Sequence, residues 1–225
     1  MNIAIILARS GSKRIKKKNI KKFKNKPLIY WTIKNIIKSK KFKKIIVSTD
    51  KESIAKIAKK FGAEVPFLRP KKISDSRTGT KEVVDHAIKF LEKNKIKMTN
   101  LSCFYATSIF ANPKVIKKSF KLLTRKTKFI FVGKKIEAQS FRYMKINKKN
   151  IIINTSKRIN LKTQNLKNNF VQDLGQFYLA SYKTWKKEKN ILIRNSQVIE
   201  LKKWEATDID TIDDWKLSNL IFRQF

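Results

Sequence analysis

Residues 1–19 read Met1-Asn2-Ile3-Ala4-Ile5-Ile6-Leu7-Ala8-Arg9-Ser10-Gly11-Ser12-Lys13-Arg14-Ile15-Lys16-Lys17-Lys18-Asn19, and this order decides the fold. Met1 to Ala8 is a short apolar run with no room for a polar face. That suits a parallel strand buried on both sides. A loop follows at once, with one glycine, two hydroxyls and three cations in Arg9 to Arg14. In open α/β sheets, ligands bind at the carboxyl ends of the strands, and a basic loop there suits phosphate. Backbone N–H groups supply donors, while Lys and Arg supply charge. The loop has neither the Gly-x-Gly-x-x-Gly of a dinucleotide fingerprint nor the Gly-x-x-x-x-Gly-Lys-Ser/Thr of a P-loop. A surface turn with solvated lysines reads the same residues as well, and the loop alone does not decide between the two.

The rest of the chain alternates strands and helices. Pro27 to Ile37 has helical spacing and begins with a proline, a good first-turn residue. Lys44 to Asp50 is a β-branched strand, and Asp50 is placed to cap a helix over 51–61 that stops at Gly62. Ala63 to Phe67 reads as a third strand, stopped by Pro66 and Pro70. A helix then carries Val83, Val84, Ala87, Ile88 and Leu91 on one face. Leu101 to Thr107 is a strand, Asn112-Pro113 opens a helix, and Phe129 to Gly133 is a further strand. Gly175 to Tyr182 and Gln197 to Leu201 are also strands, and Thr211 to Phe222 is a closing helix. This alternation predicts an α/β fold with a Rossmann-like, doubly wound, mostly parallel sheet.

Residues 134–172 break the pattern. They are polar and rich in Asn and Lys, with Met144-Lys145-Ile146 and Ile151-Ile152-Ile153 flanking a hairpin turn at Asn147-Lys148-Lys149-Asn150. They read as an arm or insertion within a single domain spanning residues 1–225.

Composition limits the function. The 225 residues are enough for a large core, and 41% are hydrophobic, which argues against disorder. The formal charge of +39 invites a nucleic-acid or polyanion-binding reading. However, the positive charge comes from 46 Lys and only 9 Arg, spread along the whole chain. Arginine would feature more where base edges are read. Nonspecific polyanion binding at low salt is expected, but specific nucleic-acid recognition is not. Cys103 is the only cysteine, so no internal disulfide can form. With no signal-peptide pattern and no apolar stretch of spanning length, the expectation is a cytoplasmic protein without a membrane segment. His86 has no second His or Cys nearby and reads as structural or solvated. Cys103 reads as a small core hydrophobe.

Five of the 16 acidic residues fall between Glu205 and Asp214, a window without Lys or Arg. Asp213 and Asp214 follow Thr211 and suit a helix N-cap and its first turn. Asp208 and Asp210, two apart on an extended segment, point the same way. Two hard oxygen ligands on one face suit Mg²⁺.

Leu7-Ala8-Arg9-Ser10-Gly11-Ser12-Lys13 with Lys18-Asn19 resembles the signature loop of the CMP-sugar synthetases, the acylneuraminate cytidylyltransferases. Ile46-Val47-Ser48-Thr49-Asp50, Leu68-Arg69-Pro70 and Asp208-Ile209-Asp210-Thr211 match in the same order. Ala63 to Pro70, Thr78-Gly79-Thr80, Tyr105-Ala106-Thr107-Ser108, Asp173-Leu174-Gly175-Gln176-Phe177-Tyr178 and Trp215 are most similar to the pseudaminic acid cytidylyltransferases within that family. Two positions depart from the family pattern: Ser10 stands where a glycine is usual, and the Pro-Ile-Gln-Arg-like segment is reduced to Ser140-Phe141-Arg142-Tyr143.

The resemblance implies that CTP and a nonulosonic acid react to give CMP-sugar and pyrophosphate. Pseudaminic acid is the expected sugar, with N-acetylneuraminic, legionaminic or 3-deoxy-octulosonic acid as alternatives. It implies that Arg9, Lys13 and Lys18 bind the triphosphate, with Ala8, Ser10, Gly11 and Ser12 adding backbone donors. Asn19, Arg69 and Ser74 would contact the cytidine, and Asp208 and Asp210 would hold Mg²⁺. Tyr105, Thr107, Ser108, Phe141, Arg142 and Gln176 are its candidates for the sugar. It also implies a homodimer that exchanges the 134–172 arm.

Overall fold

The computed structural model describes residues 1–136, 144–155, 170–202 and 205–222. In chain order the elements are β1 (Asn2–Leu7), β2 (Lys22–Phe23), β3 (Lys26–Pro27), α1 (Leu28–Ser39), β4 (Lys44–Ser48), α2 (Glu52–Lys60), α3 (Thr80–Lys93), β5 (Asn100–Tyr105), α4 (Pro113–Leu122) and β6 (Ile130–Lys135). They continue with β7 (Met144–Ile146), β8 (Ile152–Thr155), β9 (Val171–Ser181), α5 (Tyr182–Lys187), β10 (Gln197–Glu200) and α6 (Ile212–Ile221).

Six strands form the main sheet, in the order β10-β6-β9-β5-β1-β4. β1 lies between β4 and β5 and is parallel to both, with Ile5 opposite Ile46 on one side and Cys103 on the other. The apolar run therefore sits at the middle of the sheet, as its lack of a polar face requires. Its side chains alternate between two cores. Ala4, Ile6 and Ala8 pack with residues of α1 and α4, while Ile3, Ile5 and Leu7 pack with the buried stripe of α3 and with Trp185 of α5. Helices thus cover both faces of the sheet.

β9 is antiparallel to both β5 and β6, and this makes the sheet mixed. It starts at Val171, earlier than Gly175, because its first residues continue the ladder with Gly133, Lys134 and Lys135 beyond a register shift.

Two local expectations do not hold. Residues 63–67 do not form a strand; they touch the edge of β4 through isolated bridges at Ile46–Glu64 and Thr49–Leu68. Pro66 has no N–H to continue a ladder. Asp50 does not cap α2, whose N-cap is Lys51 without a side-chain hydrogen bond. Its carboxylate is taken up by Ser10 across the sheet top.

Other local expectations hold. Asn112 caps α4, accepting from the amides of Lys114 at 2.9 Å and Val115 at 3.0 Å. Thr211 and Asp214 form a reciprocal capping box at α6. Asn147 closes the turn between β7 and β8 by accepting from the amides of Lys149 and Ile151. Among the described residues no helix is long and apolar enough to cross a membrane.

Candidate active site

β1 is followed by chain on both of its sides, since β4 lies to one flank and β5 to the other. The sheet order reverses there, and the strands' carboxyl ends leave a crevice. A cavity of about 660 Å³ opens at this place, and Arg9, Lys13, Lys18, Asn19, Arg69, Tyr105, Thr107, Asp208 and Asp210 all contribute to its wall. Arg9 and Asp210, 201 positions apart in sequence, meet here because the parallel strands of the sheet deliver the loops that follow them to the same edge.

The basic loop is held by its neighbours. The amide of Ala8 donates to Ser48 O at 3.0 Å. The amide and hydroxyl of Ser10 donate to the two Asp50 oxygens at 2.7 and 2.5 Å. Ser10 thus has its side chain occupied by Asp50, and the wall of the cavity is made by Arg9, Ser12, Lys13 and Arg14. A short 3₁₀ turn then presents Lys18 and Asn19. Asn19 is buried and donates to Arg9 O at 2.8 Å, so its amide braces the loop. Arg69 is 5% exposed and donates through Nε to Ser48 Oγ at 3.1 Å. Burial pulls its guanidinium down to about 10, opposed by the charge of Asp50. It remains a cation at neutral pH.

The acidic segment is fixed by its own local chemistry. Ile209 is fully buried, so the extended backbone turns Asp208 and Asp210 towards the cavity on either side of it. Asp214 Oδ2 accepts from the amides of Asp210 at 3.0 Å and Thr211 at 2.7 Å. Burial pushes the Asp214 carboxyl up, but these bonds and the Thr211 hydroxyl outweigh it and hold it below the usual range. Asp210 meets Lys18 at 3.1 Å and Arg14 at 2.8 Å. Asp208 is pushed up to about 6, first by loss of solvent and then by the like charge of Asp210. Gly175, at φ +56°, passes so close that a Cβ there would lie 3.4 Å from Asp208 Oδ2.

Among the described residues, no group of three or more His, Cys, Asp or Glu gathers as a metal site. Two carboxylates alone do not suit zinc, which takes nitrogen and sulfur ligands. They do suit an oxygen-seeking cation that keeps waters and takes phosphate oxygens.

The far wall is made of hydroxyls. Tyr105 and Thr80 share a hydrogen bond of 2.5 Å, and Tyr178 donates its hydroxyl to Asp173. Burial raises both phenols well above their ordinary value, so they act as neutral hydrogen-bonding groups rather than bases. Thr107 joins this wall. Ser108 and Gln176 lie behind it. Ser108 accepts from the Tyr105 amide at 2.9 Å and donates to Gln176 O. Gln176 donates to Leu174 O at 3.1 Å and accepts from the Phe110 amide at 3.2 Å. Ser74 donates to Pro70 O at 2.8 Å, and its neighbours Ile73, Asp75 and Ser76 reach the cavity in its place. Phe141 and Arg142 lie outside the described residues.

Sequence reasoning assigned no role to Arg14, Thr80 or Asp173, all of which line the cavity. Arg14 sat in the quoted loop, and only its approach to Asp210 distinguishes it from the surrounding lysines. Cys103 is fully buried, and desolvation raises its thiol far above the reactive range. His86 stands edge-on to Phe67 at 4.9 Å, and burial, then Arg69 and Lys89, lower its pKa. Neither residue supplies a nucleophile.

A family model described as "Cytidylyltransferase" matches residues 3–224. The chain belongs to the cytidylyltransferase family. This cytidylyltransferase is 34% identical over 224 residues to a pseudaminic acid cytidylyltransferase of Campylobacter jejuni, covering 99% of this chain and 96% of that one. It is 28% identical over 220 residues to the CMP-N,N'-diacetyllegionaminic acid synthase of Legionella pneumophila, covering 96% of this chain and 94% of that one. Its fold matches a solved CMP:2-keto-3-deoxy-manno-octonic acid synthetase complexed with CTP, with a TM-score of 0.69. That match has 15% identity and covers 98% of this chain and 97% of the other. The enzyme's mixed six-stranded sheet is thus a cytidylyltransferase fold.

Proposed function

We propose that this cytidylyltransferase joins CTP to a nonulosonic acid, pseudaminic acid by preference, giving CMP-sugar and pyrophosphate with the help of Mg²⁺. The observation that carries the reading is one cavity that brings Arg9, Lys13 and Lys18 together with Asp208 and Asp210. A triphosphate needs the cations, and a divalent ion needs the carboxylates. The full-length similarity to a protein named pseudaminic acid cytidylyltransferase supports the choice of sugar.

The anomeric hydroxyl of the sugar attacks the α-phosphorus in line, and the bond to the β-phosphate oxygen breaks. Catalysis of this kind is mostly positioning and electrostatic stabilisation. Arg9 and Lys13 hold the triphosphate and offset the charge that collects on departing pyrophosphate. Lys18 is anchored on Ile209 O at 2.6 Å and keeps Asp210 in place. Asn19 fixes the backbone of Arg9. Arg69 and the 73–76 turn border the part of the cavity left for the cytidine. Mg²⁺ held by Asp208 and Asp210 would supply positive charge to the phosphate oxygens and ease loss of the sugar's hydroxyl proton. Tyr105, Thr107, Thr80 and Tyr178 offer neutral hydrogen bonds to the hydroxyl and acylamino groups of the sugar.

The reading also takes residues 134–172 as a contact between two copies. The β7–β8 hairpin exposes Met144, Ile146, Ile151, Ile152 and Ile153, each about half accessible. A second copy covering them would remove an apolar surface that a lone chain leaves in water.

The test is pyrophosphate release from CTP and Mg²⁺, with pseudaminic, N-acetylneuraminic, legionaminic and 3-deoxy-octulosonic acids assayed separately. Release with pseudaminic acid, lost in Asp210→Ala, is expected. Release with a different sugar instead would keep the chemistry and move the specificity. No release with any of the four would overturn the reading.

A further inference from the structure

Asp210 stands between two cations that are held very differently. Its Oδ1 lies 3.1 Å from Lys18 Nζ, and its Oδ2 lies 2.8 Å from Arg14 Nη2. The Lys18 side chain is 18% exposed and donates a second hydrogen bond to Ile209 O at 2.6 Å. The Arg14 side chain is 64% exposed, and among the described residues this is its one ion pair. Lys18 is therefore a fixed part of the acidic segment, whereas Arg14 is a cation on a long, solvated arm. An exposed pair of this kind is weak and readily exchanged.

The position of Arg14 matters because it covers the outer oxygen of Asp210. A divalent cation arriving beside Asp208 meets a guanidinium already on that carboxylate. Arg14 also lines the same cavity as Arg9 and Lys13. Its planar fork matches phosphate oxygens at least as well as a single carboxylate oxygen, and a triphosphate offers more charge.

We propose that Arg14 is a positioning residue that keeps Asp210 closed to metal until a triphosphate draws its guanidinium away, so that nucleotide and divalent cation load together. The inference rests on the reading above, in which Asp208 and Asp210 hold the cation and Arg9 and Lys13 hold the triphosphate. By linkage, whatever CTP adds to metal affinity through Arg14, metal adds equally to CTP affinity.

The test is Mn²⁺ binding followed by the electron paramagnetic resonance signal of free Mn²⁺, without sugar, so that no turnover occurs. Wild type, Arg14→Gln and Asp210→Asn are titrated with and without CTP. Without nucleotide, Arg14→Gln is expected to bind Mn²⁺ about five-fold more tightly than wild type, the upper end for an exposed ion pair. The gain in Mn²⁺ affinity on adding CTP is expected to be smaller by the same factor in Arg14→Gln. Asp210→Asn is expected to lose saturable binding without CTP and, with CTP, to take up no more Mn²⁺ than CTP alone does. If wild type with CTP takes up no more Mn²⁺ than CTP alone does, the metal reading fails and this inference falls with it. If wild type binds Mn²⁺ with CTP, but Arg14→Gln without CTP stays within about two-fold of wild type, the role of Arg14 is overturned and the metal site stands.

Discussion

Gly175→Ala perturbs β9 where the strand passes beside the acidic segment. Gly175 has φ +56°, the left-handed region that L side chains avoid. Holding alanine there costs about 1–2 kcal/mol. Alanine also stiffens the unfolded chain, which offsets about 0.4–1 kcal/mol. The net loss of about 1 kcal/mol lowers the melting temperature by about 2–4 °C for a chain of this length. The new methyl would lie 3.4 Å from Asp208 Oδ2 and 3.6 Å from Oδ1. These are ordinary contacts, so no clash adds to the loss. They do remove water from a carboxylate already pushed up to about 6 by desolvation and by Asp210. A poorer anion binds a cation less well, so the Mg²⁺ concentration for half-maximal pyrophosphate release rises about five-fold, equivalent to about 1 kcal/mol. Gly79→Ala is the control. Gly79 caps α3 at φ −73° with nothing within 4 Å of a new Cβ, and the stiffer unfolded chain offsets alanine's poorer N-cap preference, so its melting temperature should stay close to wild type. The two readouts are thermal unfolding by circular dichroism and a Mg²⁺ titration of the pyrophosphate assay. Equal melting of both variants, with the wild-type Mg²⁺ requirement in Gly175→Ala, would refute the reasoning.

Two further outcomes are expected. Asp50→Asn weakens the charge-assisted bonds from the Ser10 amide and hydroxyl, which costs about 1 kcal/mol of loop stability; the KM for CTP should rise about five-fold while kcat changes less, and an unchanged KM would remove Asp50 from the account of the loop. Asp208 is raised from 3.8 to about 6 in the folded chain, so its contribution to stability is fully present below the unfolded value and lost as pH rises through about 6. The metal-free protein should therefore lose melting temperature more steeply over that window than Asp208→Asn does, by less than about 1 kcal/mol because the group is partly exposed. Parallel pH profiles in the two proteins would contradict it.

Arg69 and Asp50 show how far a reading by type and position can go. Local context makes Asp50 a helix cap, and the family resemblance gives Arg69 a cytidine contact. In the fold, Arg69 is buried against Ser48, and Asp50 reaches forward to Ser10 instead of back to its own helix. A capping propensity is a preference of a few tenths to about 2 kcal/mol. Two bonds from a loop that folds over the same carboxylate outweigh it. Ser108 and Gln176 show the same effect for polar residues. Residue type alone does not distinguish a polar side chain facing a ligand from one satisfying buried backbone, and here the Tyr105 and Phe110 amides claim them.

What the chain determined on its own is periodic or local. The apolar run of β1 has no polar face, so it had to be central. The buried stripe of α3 follows its 3.6-residue period residue for residue, and the Asn112 and Thr211 caps close bonds within four residues. Ile209 between Asp208 and Asp210 announced that the two carboxylates share a face. Only the tertiary structure decided which residues meet. The antiparallel entry of β9, the meeting of Tyr105 with Thr80, and the approach of Arg14 to Asp210 across 196 positions of chain are long-range contacts. Their partners are set by sheet order and loop closure, and no short window of sequence carries that information.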